Sequence, residues 1–193
     1  MFGGAEMENR NLRYDIMPEI AAHWSPRAFD ENQPVADDDL FALDEAARIA
    51  PSCFNEQPWR FIVARSPESR QKLTACLSAN NQLWAGKAPV LTVILAKANF
   101  SHNGKPNRWH TFDTGTAWGY LSLEAQHRGL ITHPMGGFSV ELVREAFLVP
   151  EDYSIVAVAA IGYYGNRDNL LPQFQERERP NPRKPIDEII DIY

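Results

Sequence analysis

The sequence predicts an α+β fold, and three observations predict it. Two runs, VLTVILA at 90–96 and SIVAVAAIGY at 154–163, are strand-like and almost wholly apolar, as strands covered on both faces are. Two segments, 37–48 and 112–128, carry the pattern of helices. Helices and strands mix without strict βαβ alternation, which sets the chain apart from the purely parallel classes. A chain of 193 residues that is 44% hydrophobic fits one domain with a sizeable core.

Taken in order, residues 8–22 predict a first helix, with Leu12, Ile16 and Ile20 at helical spacing and a kink or shortening at Pro18. HWSPRAF at 23–29 is irregular. Asp37 or Asp38 caps a helix through about Arg48, with Leu40, Leu43, Ala47 and Phe41 on its inner face. Residues 50–61, APSCFNEQPWRF, form a polar loop bracketed by Pro51 and Pro58. Rigid ends hold its side-chain amides still.

RFIVAR at 60–65 reads as a strand, and 67–77 as a helix with Pro67 in its first turn. Residues 78–87 and 97–111 read as loops, the second a mobile one at the surface. In the 112–128 helix, Gly115, Gly119 and Ser122 give a face of small side chains. That face either packs tightly within the core or admits a partner subunit or a bound ring. Gly129 ends this helix. A short strand and a turn at Gly136 and Gly137 follow, and Ser139 caps a helix whose Val140, Val143 and Phe147 point inward. From Gly165 the tail is polar and carries Pro172, Pro180, Pro182 and Pro185. It wraps a surface or a partner subunit. Residues 1–193 thus form a single domain, with 166–193 as its extended tail.

Several functions find no support. The net charge of −6 and the lack of a Lys/Arg block argue against a nucleic-acid surface. No apolar run is long enough to span a membrane. The polar, acidic start shows no signal peptide. Two cysteines without a CxxC fit a reduced, cytoplasmic setting. GxGxxG, GxxxxGK[ST], HExxH and GxSxG are absent, so no Rossmann site, P-loop, zinc site or nucleophile elbow is signalled. This pattern suits an enzyme whose cofactor carries the chemistry.

HWSPRAF, APSCFNEQPWRF, the FDTG that opens the 112–128 helix, GLITHPMGGF and RKPIDEII occur in that order. Together they resemble the nitroreductase family, from about residue 18 onward. The resemblance implies a central mixed, mainly antiparallel sheet flanked by helices. It implies a homodimer with FMN at the subunit interface. NADH or NADPH donates hydride in a ping-pong cycle, and a nitroaromatic, quinone or similar small molecule accepts it.

The residues suit those roles. Ser25 and Arg27 match the family's phosphate-binding motif, with Trp24 inside it and His23 where an Arg is common. A histidine with pKa near 6.5 is mostly neutral at pH 7, so the clamp loses charge there. Arg183 matches the C-terminal basic residue, with Arg179 and Lys184 able to exchange with it. Asn55 offers an acceptor and donors in one plane to the pyrimidine edge of the ring. Gln57 either supplements it or satisfies the loop's own backbone. Pro51 and Ser52 lie against the ring, and Gly136 and Gly137 let backbone N–H groups approach it. Cys53 either faces the ring or packs, and Asp113 stabilises its helix's first turn. Trp84, Phe100 and Trp109 are either flat walls over the ring or packing. No side chain is assigned a catalytic role. Dehydrogenase or dehalogenase chemistry, or flavin binding without turnover, remain alternatives.

Overall fold

A computed structural model describes residues 12–193. Its frame is a four-stranded sheet of β1 (Trp59–Ala64), β2 (Val90–Lys97), β3 (Ile131–Met135) and β4 (Tyr153–Gly162), in the order β1-β2-β4-β3. Every pairing among the described strands is antiparallel, which sharpens the expected mixed, mainly antiparallel arrangement. The apolar runs β2 and β4 are neighbours at the centre, because both of their faces are covered.

Two cores result, one on each face. The alternation of β2 sends Leu91, Val93 and Leu95 to one core and Val90 to the other. On the second face, α2 (Asp37–Arg48) packs against α5 (His110–His127). Leu40, Leu43 and Ala47 of α2 and Ala117, Leu121 and Ala125 of α5 belong to that core. On the first face lie α3 (Pro67–Ala75), α4 (Ala79–Ala85) and α6 (Val140–Phe147). A short α1 (Pro18–Ala22) and α7 (Pro172–Gln175) complete the helices.

Several expectations are corrected. Residues 8–11 of the first predicted helix lie outside the described residues. The remainder is helical only from Pro18, which occupies the first turn, where its missing N–H has no helical partner to lose. Leu12 and Ile16 precede the helix and are exposed. The N-cap of α2 is Ala36, which makes no side-chain bond, and Asp37, Asp38 and Asp39 instead place charge in the first turn, where it is favourable. Phe41 points outward, 64% exposed, and Val140 is exposed too. Residues 78–87 hold α4 rather than a loop, and Trp84 is fully buried beside Phe29 and His133. Trp84 is therefore core and not a wall over a ring.

Other signals are seen as read. Ser139 caps α6 by accepting from the Leu142 N–H at 3.1 Å. Gly129, at φ 78°, follows the C-terminus of α5. The reading of 97–111 as one mobile loop is corrected: backbone bonds from Ala98 to Asp152 and from Asn107 to Ala98, both 2.8 Å, tie down 98–107, and α5 begins at His110. The tail packs on its own chain as far as Glu178, through buried Leu170 and Phe174, and residues 181–193 are exposed.

Leu43 is fully buried between α2 and the sheet. Leu43→Ala should lower the unfolding free energy by about 2–5 kcal/mol, read from urea denaturation followed by circular dichroism.

Candidate functional site

The loop from Ser52 to Gln57 holds three of the four non-glycine residues with positive φ among the described residues. Phe54, Asn55 and Gln57 have φ of 53°, 55° and 50°, the left-handed region that non-glycine residues avoid. Each such residue costs on the order of 1 kcal/mol, and a bulky Phe is an outlier there. The surroundings hold the loop in place. The buried Asp113 carboxylate on α5 accepts from the Cys53 N–H at 3.0 Å. The Ser52 hydroxyl accepts from the Gln57 N–H at 3.0 Å, and the Gln57 amide donates to the Asn55 carbonyl at 3.2 Å. Glu56 reaches across to the 98–107 segment and accepts from the Ser101 N–H at 2.8 Å. Hydrogen bonding from Ser101 holds the Glu56 carboxyl below the ordinary range, with Lys97 and His102 adding their charge.

These bonds engage the backbone of Asn55, whose N–H donates to the Ser52 carbonyl at 3.0 Å, and leave the residue exposed. Gln57 serves its own loop, which favours the local role over ring recognition. Pro51 is exposed and Ser52 half-buried. The Cys53 side chain is half-buried and free of any disulfide. Asp113 does more than stabilise a helix turn. Its reach over 60 residues has no signature in local sequence.

The second group of residues surrounds Arg27. Trp24 packs its ring 6.2 Å from that of Tyr164. His133 on β3 meets the Pro26 carbonyl through Nδ1 at 2.8 Å, and its ring lies 4.5 Å from Trp84. Burial pulls the His133 pKa down to about 4, and the Arg27 charge adds to this. His133 is therefore neutral and donates at neutral pH. Glu178 accepts the backbone N–H groups of Arg27 and Ala28 at 2.7 and 2.9 Å. The Arg27 guanidinium lies over the Trp84 ring at 5.9 Å and remains one-quarter exposed. Ser25 and His23 are half-buried beside it in sequence. Glu178 stands in no motif that sequence reading singled out, and His133 stands in GLITHPMGGF without a role assigned to it.

Gly136 and Gly137 differ. A Cβ at Gly137 would lie 2.8 Å from Ser78 Oγ and 2.9 Å from Asn81 Nδ2, whereas one at Gly136 would meet nothing within 4 Å. Gly137 is thus small for α4, and Gly136 is the glycine that faces open space. Arg183 is exposed and donates to the Asn181 and Pro182 carbonyls of its own segment. Among the described residues no hydrogen bond or ion pair joins it to Arg27.

The two groups lie at opposite ends of the chain's frame. The 52–57 loop sits at the start of β1 and the start of α5. Glu19 bonds His127 at the other end of α5, and the Phe29–Tyr164 bridge lies past the end of β4. Asp113 and His127 are 14 positions apart on α5, roughly 20 Å at 1.5 Å per residue. On the small face of α5 Ser122 is buried, while the two glycines are unfilled. A Cβ at Gly115 or Gly119 would meet nothing within 4 Å, so tight packing inside this chain is not their purpose. Exposed Phe112 and Tyr120 lie on the same side of α5. Among the described residues no group of His, Cys, Asp and Glu has the arrangement of a metal site. None of their helices is long and apolar enough to cross a membrane.

The model of the nitroreductase family matches residues 20–79 and 75–163. This chain belongs to the nitroreductase family. Among solved structures, one described as an oxidoreductase containing FMN is 35% identical, with a TM-score of 0.90 over 95% of this chain and 94% of its own. An Exiguobacterium sibiricum protein solved in complex with FMN is 23% identical, with a TM-score of 0.76, over 93% of this chain and 98% of its own, and shows the shared fold. Among curated relatives, the NADH dehydrogenase of Thermus thermophilus is 28% identical, covering 81% of this chain and 86% of its own. A Ralstonia nicotianae protein named for both NADH dehydrogenase and NAD(P)H nitroreductase is also 28% identical, with the same coverage. Nitroreductase family membership fits the antiparallel α+β frame just described.

Two outcomes are expected. The folded His133 pKa lies below its unfolded value, so its contribution is fully present above about 6.5 and is lost as pH falls towards about 4. His133→Asn, which keeps a donor for Pro26, should flatten the acid limb of the stability profile, measured as the variant-minus-parent unfolding free energy between pH 7 and 4. Asp113→Ala should free the 52–57 loop and cost about 1–3 kcal/mol, because the Cys53 N–H loses its acceptor. Faster hydrogen exchange confined to that loop is the check.

Proposed function

We propose that this chain is an FMN-dependent NAD(P)H oxidoreductase whose flavin sites are each shared by two copies in a homodimer. The observation that carries the reading is the separation of the two residue groups. A pinned loop presenting Asn55 and a pinned cation at Arg27 are parts that one FMN uses together. In one chain they lie at opposite ends of the β2–β4 register, the loop at the Lys97 end and residues 27–30 beyond Gly162. A second copy, packed on the open-glycine face of α5, supplies the missing half.

The donor set fits FMN. Arg27 keeps part of its guanidinium accessible, and a guanidinium and the hydroxyl of Ser25 suit a phosphate. His23 and Trp24 complete that segment, with His23 contributing a hydrogen bond and little charge at neutral pH. Asn55 offers the paired donor and acceptor that a pyrimidine edge needs. Pro51 and Ser52 flank it, and Gly136 leaves room for close approach of the backbone, whose N–H there stabilises negative charge. Arg183, with the exposed tail beyond residue 180, is proposed to reach the partner subunit. The described residues 12–193 act as one domain in this reading.

Bound FMN supplies the capacity to take hydride from NADH or NADPH and pass it to an acceptor. The chain's own residues bind and orient, and none of them moves a proton. The acceptor is a small flat electrophile such as a quinone or nitroaromatic. The acidic, reduced-thiol character of the chain suits the cytoplasm.

Arg27→Ala and Asn55→Ala should each weaken FMN binding by about tenfold or more, the loss of one charge-assisted contact. The decisive experiment combines them. A dimer with one Arg27→Ala chain and one Asn55→Ala chain retains one intact site if the two residues come from different subunits. It should bind half the FMN of the parent at parental affinity, as read by fluorescence titration. Complete loss of tight binding would place both residues in one chain's site and refute the shared arrangement.

A further inference from the structure

With Asp113, Glu178 is one of two buried carboxylates among the described residues. It is 4% exposed, and its side chain is fully buried. A buried carboxylate needs donors, and it finds them 150 residues away. Oε1 accepts from Arg27 N–H at 2.7 Å and from Ala28 N–H at 2.9 Å. Oε2 has no hydrogen-bond partner and lies 3.8 Å from the Arg27 guanidinium. Burial pushes the carboxyl up, and the Ala28 and Arg27 N–H groups and the Arg27 and Arg167 charges oppose this.

The neighbouring anchors serve the same short segment. His133 holds the Pro26 carbonyl from β3. The Gly165 N–H donates to the Ala28 carbonyl at 2.7 Å from beyond β4. Glu178 takes the Arg27 and Ala28 N–H groups, and its other oxygen lies 3.8 Å from the guanidinium. Without Glu178 the buried Ala28 N–H and the part-buried Arg27 N–H would lose their acceptor, and the backbone that carries the Arg27 side chain would lose an anchor.

We propose that Glu178 is a positioning residue for the flavin phosphate, acting through the backbone N–H groups of Arg27 and Ala28. The inference rests on the reading of Arg27 as a phosphate ligand. It makes the first part of the C-terminal tail a working part of the clamp in its own chain. What matters in Glu178 is reach: an acceptor placed at both N–H groups. The negative charge itself is secondary, since it opposes the phosphate.

Three variants separate reach from charge. Glu178→Gln keeps the acceptor and removes the charge. Glu178→Asp keeps the charge and withdraws it by one methylene. Glu178→Ala removes both. Dissociation constants are measured for FMN and for riboflavin, which lacks the phosphate, by flavin fluorescence titration. The parent should prefer FMN. The Asp and Ala variants should lose about tenfold or more in FMN affinity, with riboflavin affinity within twofold of the parent. The Gln variant should bind both flavins as the parent does. Should the Ala variant fail to fold, the Gln and Asp pair decides alone.

Unchanged FMN affinity in the Asp variant overturns the proposal, as does equal loss of FMN and riboflavin. Loss in the Gln variant with retention in the Asp variant would assign the effect to charge and overturn it too. A parent that shows no preference for FMN, or an Arg27→Ala variant that keeps the preference, would instead remove the phosphate reading on which the proposal stands.

Discussion

The pairing of β2 with β4 is the constraint on which the rest depends. Eight register pairs, from Val90 with Ile161 to Lys97 with Tyr153, fix two ends of the sheet. Each end then carries one set of the candidate site residues. The end near Lys97 receives the 52–57 loop, since the Lys97 N–H donates to the Pro58 carbonyl at 2.8 Å. The other end receives residues 27–30 through Tyr163 and Gly165. Because both faces of β2 are buried, a one-residue slip would turn every side chain to the wrong core. The register that secures the core therefore also sets the spacing of the site.

Much of this was legible in the sequence, for identifiable reasons. The central strands declare themselves through unbroken apolar composition, and Ser139 and Gly129 mark helix ends through local chemistry. Local signals fail where packing decides. Residues 78–87 look like a polar loop because α4 has a single strongly apolar side, and Trp84 on that side is its anchor. Phe41 looks like a core residue yet is outward. An apolar side chain turned to solvent is invisible to periodicity when the helix already has a full inner face.

The candidate site shows the same division. Short contiguous motifs around Ser25, Asn55 and Gly136 are readable because their chemistry is local. Their supports are not, since each comes from a distant part of the chain: Asp113 for Cys53, Ser101 for Glu56, His133 for Pro26 and Glu178 for Arg27. The left-handed run at Phe54, Asn55 and Gln57 is a case in point. No sequence rule asks for Phe there, and only the sum of outside bonds makes it tenable. Strain of this kind persists where a side chain must be presented at a fixed angle.

The long span between Arg27 and Glu178 also bears on the order of events in synthesis. Contacts of such sequence separation form late, because a long loop must close before they yield anything. As the chain leaves the ribosome, residues 27 and 28 have no carboxylate to close upon until position 178 has emerged. The sheet can assemble earlier, since β4 is complete at Gly162. On the proposed role of Glu178, the flavin clamp is completed only after the sheet, once residue 178 has joined residues 27 and 28.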